Sequence, residues 1–196
     1  MLFLHHCEFA DTIRIIVLVR GYRHGMLCAD FSEVFGFMTD TTAAPPPRPS
    51  SHATEAAALD WAVRVFTELP VAGLLAARPL RCDPQHGRMT VLFGARREFC
   101  NLMGSVQGGM LAAMLDLVMA FAVLCTLEDG HVVPSLEMKT SFIAPARAGE
   151  ITGDGTLVRR GRSIAFMEGR LVDPQGKLLA TASATGQIRL RPPATP

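Results

Sequence analysis

NLMGSVQGGMLAAMLDLVMAFAVLCT, residues 101–126, is the stretch that decides the fold. A polar, glycine-rich start leads into a long apolar run whose single charge is Asp116. Because apolar residues occupy every face of a helix with this sequence, the helix must be surrounded by protein or by lipid. A carboxylate in such surroundings is costly unless it has a partner or a function. We therefore expect Asp116 and the glycine-rich start to carry any activity.

Short strands and one amphipathic helix flank this central helix. The predicted elements are a helix at residues 53–69, strands at 77–82 and 89–94, and then four strands at 133–143, 151–160, 163–172 and 177–188. Turn sequences, DPQHG at 83–87 and DPQG at 173–176, separate successive strands. The pattern predicts an α+β fold, in which a curved antiparallel sheet wraps around one long buried helix that has no polar face to show water.

Residue spacing also predicts which faces are buried. In the first helix the predicted face carries Ala57, Trp61, Val65 and Leu69, with Ser51 or Thr54 as the N-cap and Pro70 at the end. In strand 133–143 one face carries Leu136, Met138, Thr140 and Phe142. In the last strand one face carries Ala180, Ala182 and Ala184, which are small enough for a helix to approach closely.

The first 52 residues are predicted to lie outside the folded domain, as a disordered leader or a mis-assigned extension. From Met38 the chain reads MTDTTAAPPPRPSSHATEAA, a tract typical of a solvated leader. We hypothesise that Met38 is the natural start and that residues 1–37 are upstream translation. A real but poorly packed extension is the alternative, and the mass of the native N-terminus distinguishes the two. The domain itself is predicted at residues 53–190, followed by a frayed tail at 191–196.

Composition limits the classes of partner. Of 196 residues, 49% are apolar and 19% are charged, and the net charge of +1 gives no broad attraction to nucleic acid or anionic membranes. No DNA-binding helix pair or basic stripe is present. Five cysteines, an odd number without C-x-x-C spacing, argue against a disulfide framework or a zinc site and fit a reducing, cytoplasmic compartment. We predict neither a metal nor a cofactor.

A membrane span is the main alternative for the central helix. Residues 102–127 have sufficient length, and Gly104 and Gly108 have the spacing of a helix-pairing motif. However, Asp116 lies near the centre of the run, where a charge costs about 3 kcal/mol on insertion. The downstream strands also need a core, which only this helix can supply. We therefore predict that the helix lies inside the protein, with no membrane association.

The start of the central helix offers backbone N–H groups rather than a known catalytic motif. GSVQG at 104–108 is not G-x-S-x-G, the central block has no histidine for a Ser-His-Asp triad, and GDG at 153–155 lacks the rest of a dinucleotide fingerprint. The first N–H groups of a helix have no internal partner and carry the positive end of its dipole. Gly108 and Gly109 leave that end uncluttered, so a carbonyl oxygen can be polarised there, with the Asn101 amide beside it. Alternatively, the glycines only permit tight packing.

The position of Asp116 sets a geometric condition. It follows Gly108 by eight residues, about 12 Å along a helix at 1.5 Å per residue. One carbonyl group cannot contact both ends of that span. If both residues act on one substrate, the carboxylate must come from a second subunit, with two such helices side by side under two-fold symmetry. Alternatively, Asp116 is a buried carboxylate whose hydrogen bonds come from hydroxyl or backbone groups.

Four segments together resemble one family. They are NLMGSVQGGMLAAMLD (101–116), SLEMKTSFIAPARAGE (135–150), VRRGRS (158–163) and DPQGKLLATASATG (173–186). They resemble the hotdog-fold acyl-CoA thioesterases of the PaaI type, which include the thioesterase superfamily member 2 group. The resemblance covers about residues 77–188. It implies a long helix wrapped by a curved antiparallel sheet, an acyl-CoA substrate, and dimers with shared sites that usually assemble into homotetramers.

The resemblance also implies residue roles. Asn101 and the Gly108 N–H would hold the thioester carbonyl in one subunit, and Asp116 of the facing subunit would be the nucleophile or general base. Ser135, in the strand after the helix, would help to orient water. The basic turn that would meet the coenzyme A phosphates is formed by Arg159, Arg160, Gly161 and Arg162. A solvated turn is the alternative interpretation of these four residues.

One departure from the family pattern concerns the residue before the two glycines. The family commonly has histidine where this chain has Gln107, followed by Gly108 and Gly109. Glutamine keeps a hydrogen-bond donor but cannot titrate near neutral pH, so its predicted part, like that of Gly109, is substrate binding. A non-catalytic acyl-CoA-binding or regulatory module on the same fold remains the competing interpretation. A hydratase would need an Asp/His pair, and the central block has no histidine.

Overall fold

A 17-residue helix and a six-stranded antiparallel sheet dominate residues 46–191, the part of the chain that this computed structural model describes. The helices are α1 (Glu55–Glu68), α2 (Pro70–Leu74) and α3 (Gly108–Leu124). The strands are β1 (Arg78–Asp83), β2 (Arg88–Ala95), β3 (His131–Val132), β4 (Ser135–Phe142), β5 (Gly149–Arg160), β6 (Ile164–Val172), β7 (Leu178–Gln187) and β8 (Arg189–Leu190). The hypothesised start at Met38 and the extension before it lie outside the described residues.

The sheet has the order β1-β2-β5-β6-β7-β4, and every neighbouring pair is antiparallel. Helix α3 contacts β2 and all of β4 to β7, so one helix fills the inner side of the sheet. From Met114 to Val123, successive turns of α3 contribute side chains that are fully buried, among them Leu115, Val118 and Met119. The predicted arrangement of a sheet around one buried apolar helix is therefore the observed one.

Small residues in the sheet let α3 approach closely. A Cβ atom added to Gly155 of β5 would lie 2.3 Å from the Val118 carbonyl oxygen, and one added to Gly169 of β6 would lie 2.8 Å from Met119 Cγ. The predicted alanine face of β7 is confirmed, since Ala180, Ala182 and Ala184 are all buried. Any larger residue at the two glycines would separate the helix from the sheet.

Helix α1 forms where it was predicted, with Thr54 as the N-cap accepting a hydrogen bond from the Ala57 N–H at 3.3 Å. The predicted buried face is confirmed only in part. Trp61 is buried, and Val65 and Leu69 are half-buried against the core, but Ala57 is exposed. The buried residues are Ala58, Trp61, Ala62 and Phe66. The reason is an aromatic contact across the fold, because the Trp61 and Phe66 rings lie 5.8 and 4.6 Å from the Phe121 ring. Pro70 also differs from expectation, since it opens helix α2 as well as following α1.

The described end of the predicted leader, residues 46–52, contacts the loop that follows α3. The Arg48 guanidinium donates to the Glu128 and His131 carbonyl oxygens at 3.0 and 3.1 Å and lies over the Trp61 ring at 5.2 Å. Burial lowers the pKa of Arg48 from its ordinary value. The domain boundary at residue 53 stays a prediction, which the contacts of Arg48 give a way to test.

Strand β4 forms one edge of the sheet and pairs with β7 alone among the described strands. Its predicted apolar face is largely uncovered, since Leu136 is 58% exposed and Phe142 is 55% exposed. At the chain's far end β8 pairs with β3, a small sheet that was not predicted, and residues 192–196 of the tail lie outside the described range. None of the helices in residues 46–191 is long and apolar enough to cross a membrane.

Candidate active site

Helix α3 begins at Gly108 with donors that the protein does not use. The Gln107 carbonyl accepts from the Met110 and Leu111 N–H groups at 2.9 and 3.3 Å, but the N–H groups of Gly108 and Gly109 find no acceptor among the described residues. The Gln107 side chain is exposed and makes no capping hydrogen bond. Two backbone donors at the positive end of the helix dipole are therefore available to a ligand.

The loop before the helix fixes the orientation of the Asn101 amide. Its side-chain oxygen accepts from the Met103 N–H at 2.9 Å and from the Ser105 N–H at 3.2 Å, while the Asn101 N–H donates to the Ser105 carbonyl at 2.8 Å. Because the oxygen faces two donors, the amide nitrogen must point away from the loop, and the residue is exposed. Asn101 can therefore offer an N–H donor to a ligand.

Hydrogen bonds on both sides anchor this loop. The Gln107 N–H donates to the Phe99 carbonyl at 2.8 Å, and the Val106 N–H donates to the Ala146 carbonyl at 2.9 Å. Cys100 and Val106 pair as an isolated antiparallel bridge, which turns Asn101 back toward the start of α3. The side-chain donor and the two backbone donors thus belong to one hydrogen-bonded unit.

Phe142 lies against the first residue of α3, a contact that the sequence did not reveal. A Cβ atom added to Gly108 would lie 2.9 Å from Phe142 Cζ, whereas one added to Gly109 would meet nothing within 4 Å. Both interpretations of the glycines therefore have support, because Gly108 permits tight packing and Gly109 leaves the helix end open. The only sequence signal was the aromatic residue at the end of strand 133–143.

The structure brings Asp116 and Ser135 together. The Ser135 hydroxyl donates to Asp116 Oδ1 at 2.6 Å, and Asp116 Oδ2 accepts no hydrogen bond from the described residues. Asp116 is half-buried in the middle of α3, and Ser135 is the first residue of β4. One carboxylate oxygen is thus held by a hydroxyl, as the alternative interpretation expected, while the other stays available to accept a proton or to attack.

Within one protomer the carboxylate and the open helix end do not meet. Asp116 is on the same helix as Gly108, about 12 Å away at 1.5 Å per residue. Both lie on the one side of α3 that is only half-buried, a line of small residues at four-residue spacing. Its members are Gly108, Ala112, Asp116 and Ala120. This face of the helix is covered less than the rest by its own protomer.

The predicted basic turn lies at the other end of α3. Arg160 donates from Nη1 to the Thr126 carbonyl and, at 3.1 Å, to the Thr126 hydroxyl, just beyond the last residue of the helix. The Gly161 N–H closes the turn by donating to the Ile164 carbonyl at 2.7 Å. Arg159 and Arg162 are exposed and form no ion pair with the described residues. Arg160 therefore supports the fold, while its two neighbours are available to a ligand.

Comparison with known proteins places this arrangement in one family. The profile described as the thioesterase superfamily matches residues 103–180. Acyl-coenzyme A thioesterase 13 of Homo sapiens is 30% identical over 104 residues, which are 52% of this chain and 74% of that protein.

Solved structures agree. A protein of Ralstonia eutropha, described as phenylacetic acid degradation-related, is 42% identical with a TM-score of 0.60, over 63% of this chain and 96% of that one. The PaaI protein of Escherichia coli is 19% identical with a TM-score of 0.59, over 66% of this chain and 92% of that one, and so supports the fold alone. The chain therefore belongs to the thioesterase superfamily, and it is a thioester hydrolase built on the hotdog fold.

Proposed function

We propose that the protein hydrolyses acyl-CoA thioesters at a site that two protomers share. The name of the human relative, acyl-coenzyme A thioesterase 13, supports the substrate class. The observation that carries the proposal is the separation of two complementary groups on one helix, the unused N–H donors at Gly108 and the Ser135-bound carboxylate of Asp116. Each group alone performs half of the chemistry, and a second copy supplies the other half.

The donors at the helix start suit the thioester carbonyl. The Gly108 N–H and the Asn101 amide nitrogen would hold the carbonyl oxygen and stabilise the negative charge that develops on it during attack. Gly109 and Gln107 lie beside them, as further contacts for the substrate. Because a thiol leaves as thiolate with a pKa of about 8.5, no strong general acid is needed, and the absence of a histidine from this stretch is no obstacle.

Asp116 supplies the remaining step in one of two ways. As a general base its free oxygen takes a proton from water, the hydroxide adds to the carbonyl carbon, and the C–S bond breaks with release of the coenzyme A thiolate. As a nucleophile the same oxygen attacks the carbonyl carbon, the C–S bond breaks with release of the coenzyme A thiolate, and water then cleaves the resulting anhydride at the aspartyl carbonyl. The Ser135 hydroxyl holds the other oxygen in either case. Single turnover in ¹⁸O-labelled water separates the two, because only nucleophilic attack places an enzyme oxygen in the acid product.

Two features of the protomer support pairing through this surface. The half-buried line of small residues on α3 allows a second α3 to lie alongside, antiparallel, so that Gly108 faces Asp116 of the partner subunit. Strand β4 lies at the sheet edge, its second hydrogen-bonding side is unpaired within residues 46–191, and Leu136 and Phe142 are exposed on it. We extend the proposal to a homotetramer of two such dimers in the cytoplasm, as the resemblance implies.

The same geometry supports a binding place for the coenzyme A end of the substrate. Arg160 ties the basic turn to the C-terminal end of α3, eight residues and about 12 Å beyond Asp116. In an antiparallel pair, the carbonyl held at Gly108 of one protomer would therefore lie nearer to the partner's turn than to its own. Arg159 and Arg162 of the Asp116-bearing protomer are the groups that would meet the phosphates.

A mixed-dimer experiment tests both the activity and the shared site. Asp116→Asn and Asn101→Ala proteins are each expected to release almost no thiol from a panel of acyl-CoAs. Co-expressed with different tags, they form heterodimers in which one of the two sites is intact, and the mixed population should regain about a quarter of wild-type activity. No recovery, with heterodimers present, would show that each site is built within one protomer. If the wild type binds acyl-CoA saturably but releases no thiol, the protein acts as a non-catalytic acyl-CoA-binding module instead.

A further inference from the structure

The Phe142 ring meets Gly108 end-on. The hypothetical Gly108 Cβ would lie 2.9 Å from Cζ and 3.2 and 3.3 Å from the two Cε atoms, so the tip of the ring, rather than its face, points at the helix start. Gly108 does not have a positive φ angle, so its backbone alone would tolerate a side chain. A side chain at this position would therefore displace the tip of the Phe142 ring, which occupies the space that a Cβ would take.

One strand carries both groups that touch the proposed chemistry. Ser135, the first residue of β4, holds Asp116, and Phe142, the last residue of β4, holds Gly108. Phe142 pairs with the fully buried Ala180 of β7, so the backbone beneath the ring is fixed. The ring itself is 55% exposed, which leaves part of its surface for something outside the protomer's core.

We propose that Phe142 is a positioning and specificity-determining residue of the thioesterase site. This inference rests on the proposed function. The ring fixes the helix start from one side and excludes water from that side of the carbonyl-binding donors, where hydrogen bonds to a developing negative charge are then stronger. The exposed part of the ring forms one wall of the space beside the thioester. It therefore limits the bulk of the acyl group that can be held with its carbonyl on the Gly108 N–H.

A double-mutant cycle between the two contacting residues tests the positioning role. Gly108→Ala should lower kcat at least tenfold, because the new methyl group and the ring compete for the same space. Phe142→Leu should lower kcat about threefold for the best wild-type substrate and shift the preference toward bulkier acyl groups. The double variant should be more active than Gly108→Ala alone, because the shorter leucine makes room for the methyl group. Additive losses would overturn the proposal.

The matched control is Phe166→Leu. Phe166 is 48% exposed on β6, but its neighbours Ala165 and Met167 are the buried residues, so Phe166 faces away from α3. This variant should keep the wild-type kcat, KM and acyl preference. Melting temperatures of all variants show whether each is folded, and Phe142→Met offers a second replacement if leucine is not tolerated. An unchanged acyl preference in both Phe142 variants would overturn the specificity role.

The parent activities separate failure of this inference from failure of the proposed function. If the wild type hydrolyses acyl-CoA and Asp116→Asn does not, additivity at Gly108 and Phe142 counts against Phe142 alone. If the wild type releases no thiol, or Asp116→Asn is fully active, the proposed site is wrong and the role of Phe142 falls with it.

Discussion

The two ends of α3 differ in whether their terminal backbone N–H and C=O groups have hydrogen-bond partners. At the start, the N–H groups of Gly108 and Gly109 have no acceptor among the described residues, and Gln107 does not cap them. At the other end, the last carbonyl groups of the helix accept from the N–H groups of Cys125, Thr126 and Leu127. Beyond them, Arg160 donates to the Thr126 carbonyl and Arg48 to carbonyl groups of the following loop. Because the N–H and C=O groups at the ends of a helix both need hydrogen-bond partners, the unpaired N–H groups at the start of α3 are the feature that suggests a ligand.

This difference suggests that the start of α3 serves binding and that its end serves stability. Two arginines that donate to loop carbonyl groups stabilise the C-terminal end in the free protomer, and Arg159 and Arg162 of the adjoining turn are the groups there that stay available to a ligand. The N-terminal end makes no such contacts with the described residues, and in the proposed site its donors bind the substrate carbonyl. Asp116 lies between the two, with one oxygen bound and one available. Variants at the start and middle of α3 should therefore lose activity while staying folded, and variants at its end should lose stability.

The largest effect is expected at Asp116. Asp116→Asn keeps the shape of the side chain but removes the base or nucleophile, so kcat for thiol release should fall about a thousandfold with little change in melting temperature. Asp60→Asn is the matched control, because Asp60 is an exposed carboxylate on α1 that pairs only with Arg64. A loss of kcat of less than tenfold in Asp116→Asn would show that the carboxylate takes no part in the chemistry. The proposed difference in role between the parts of α3 would then be wrong.

Replacement of Arg48 tests whether the C-terminal end of α3 contributes to stability. Arg48→Ala leaves the Glu128 and His131 carbonyls without their donor and uncovers the Trp61 ring, so unfolding free energy should fall by about 2 kcal/mol. Denaturant unfolding measures the loss, and kcat of the folded protein should stay near wild type. A chain that starts at residue 53 should show a similar loss, whereas Arg64→Ala on the surface of α1 should not. If all three proteins unfold with the same free energy as the wild type, residues 46–52 do not stabilise the domain. Its boundary then lies at residue 53, where the sequence predicted it.

Local patterns predicted the elements well, because each depends on neighbours in sequence. The turn at residues 83–87 and the chain reversal at Gly161 both connect strands close to where the sequence placed them. The apolar run and its lone carboxylate were enough to predict a single helix inside a sheet. The buried face of α1 is rotated from the predicted one because its packing partner, Phe121, is distant in sequence.

Contacts between distant segments account for what was missed at the site. GDG at 153–155 lacks the rest of a nucleotide-binding motif, and its second glycine, Gly155, instead allows α3 to pack closely against β5. The commitment of Arg160 to Thr126 and the contact of Phe142 with Gly108 also join residues that no spacing rule connects. The family resemblance implied that Ser135 helps to orient water, but the hydrogen bond from Ser135 to Asp116 was not predicted.

Ser135 should have a smaller effect than Asp116 because it acts on the carboxylate rather than on the substrate. Ser135→Ala removes a 2.6 Å hydrogen bond to a charged group and leaves Asp116 free to turn, so kcat should fall about tenfold with KM nearly unchanged. Ser135→Thr, which keeps the hydroxyl, should retain more activity. Ser141→Ala is the control on the same strand, since Ser141 pairs with Thr181 on the face that points away from α3. Equal losses in the two alanine variants would mean that the strand matters and the hydroxyl does not.

The smallest effect is expected at the basic turn, and it depends on the substrate. Arg159→Ala and Arg162→Ala should each raise KM for an acyl-CoA about threefold, since exposed arginines contribute about 1 kcal/mol or less to binding a phosphate, and the effect should shrink as salt is added. The same acyl group on pantetheine, which has no phosphates, should be hydrolysed equally by wild type and variants. Arg64→Ala should match wild type with both substrates. If the variants lose as much on the pantetheine thioester as on acyl-CoA, the turn acts through the fold, and the C-terminal end of α3 has no part in binding.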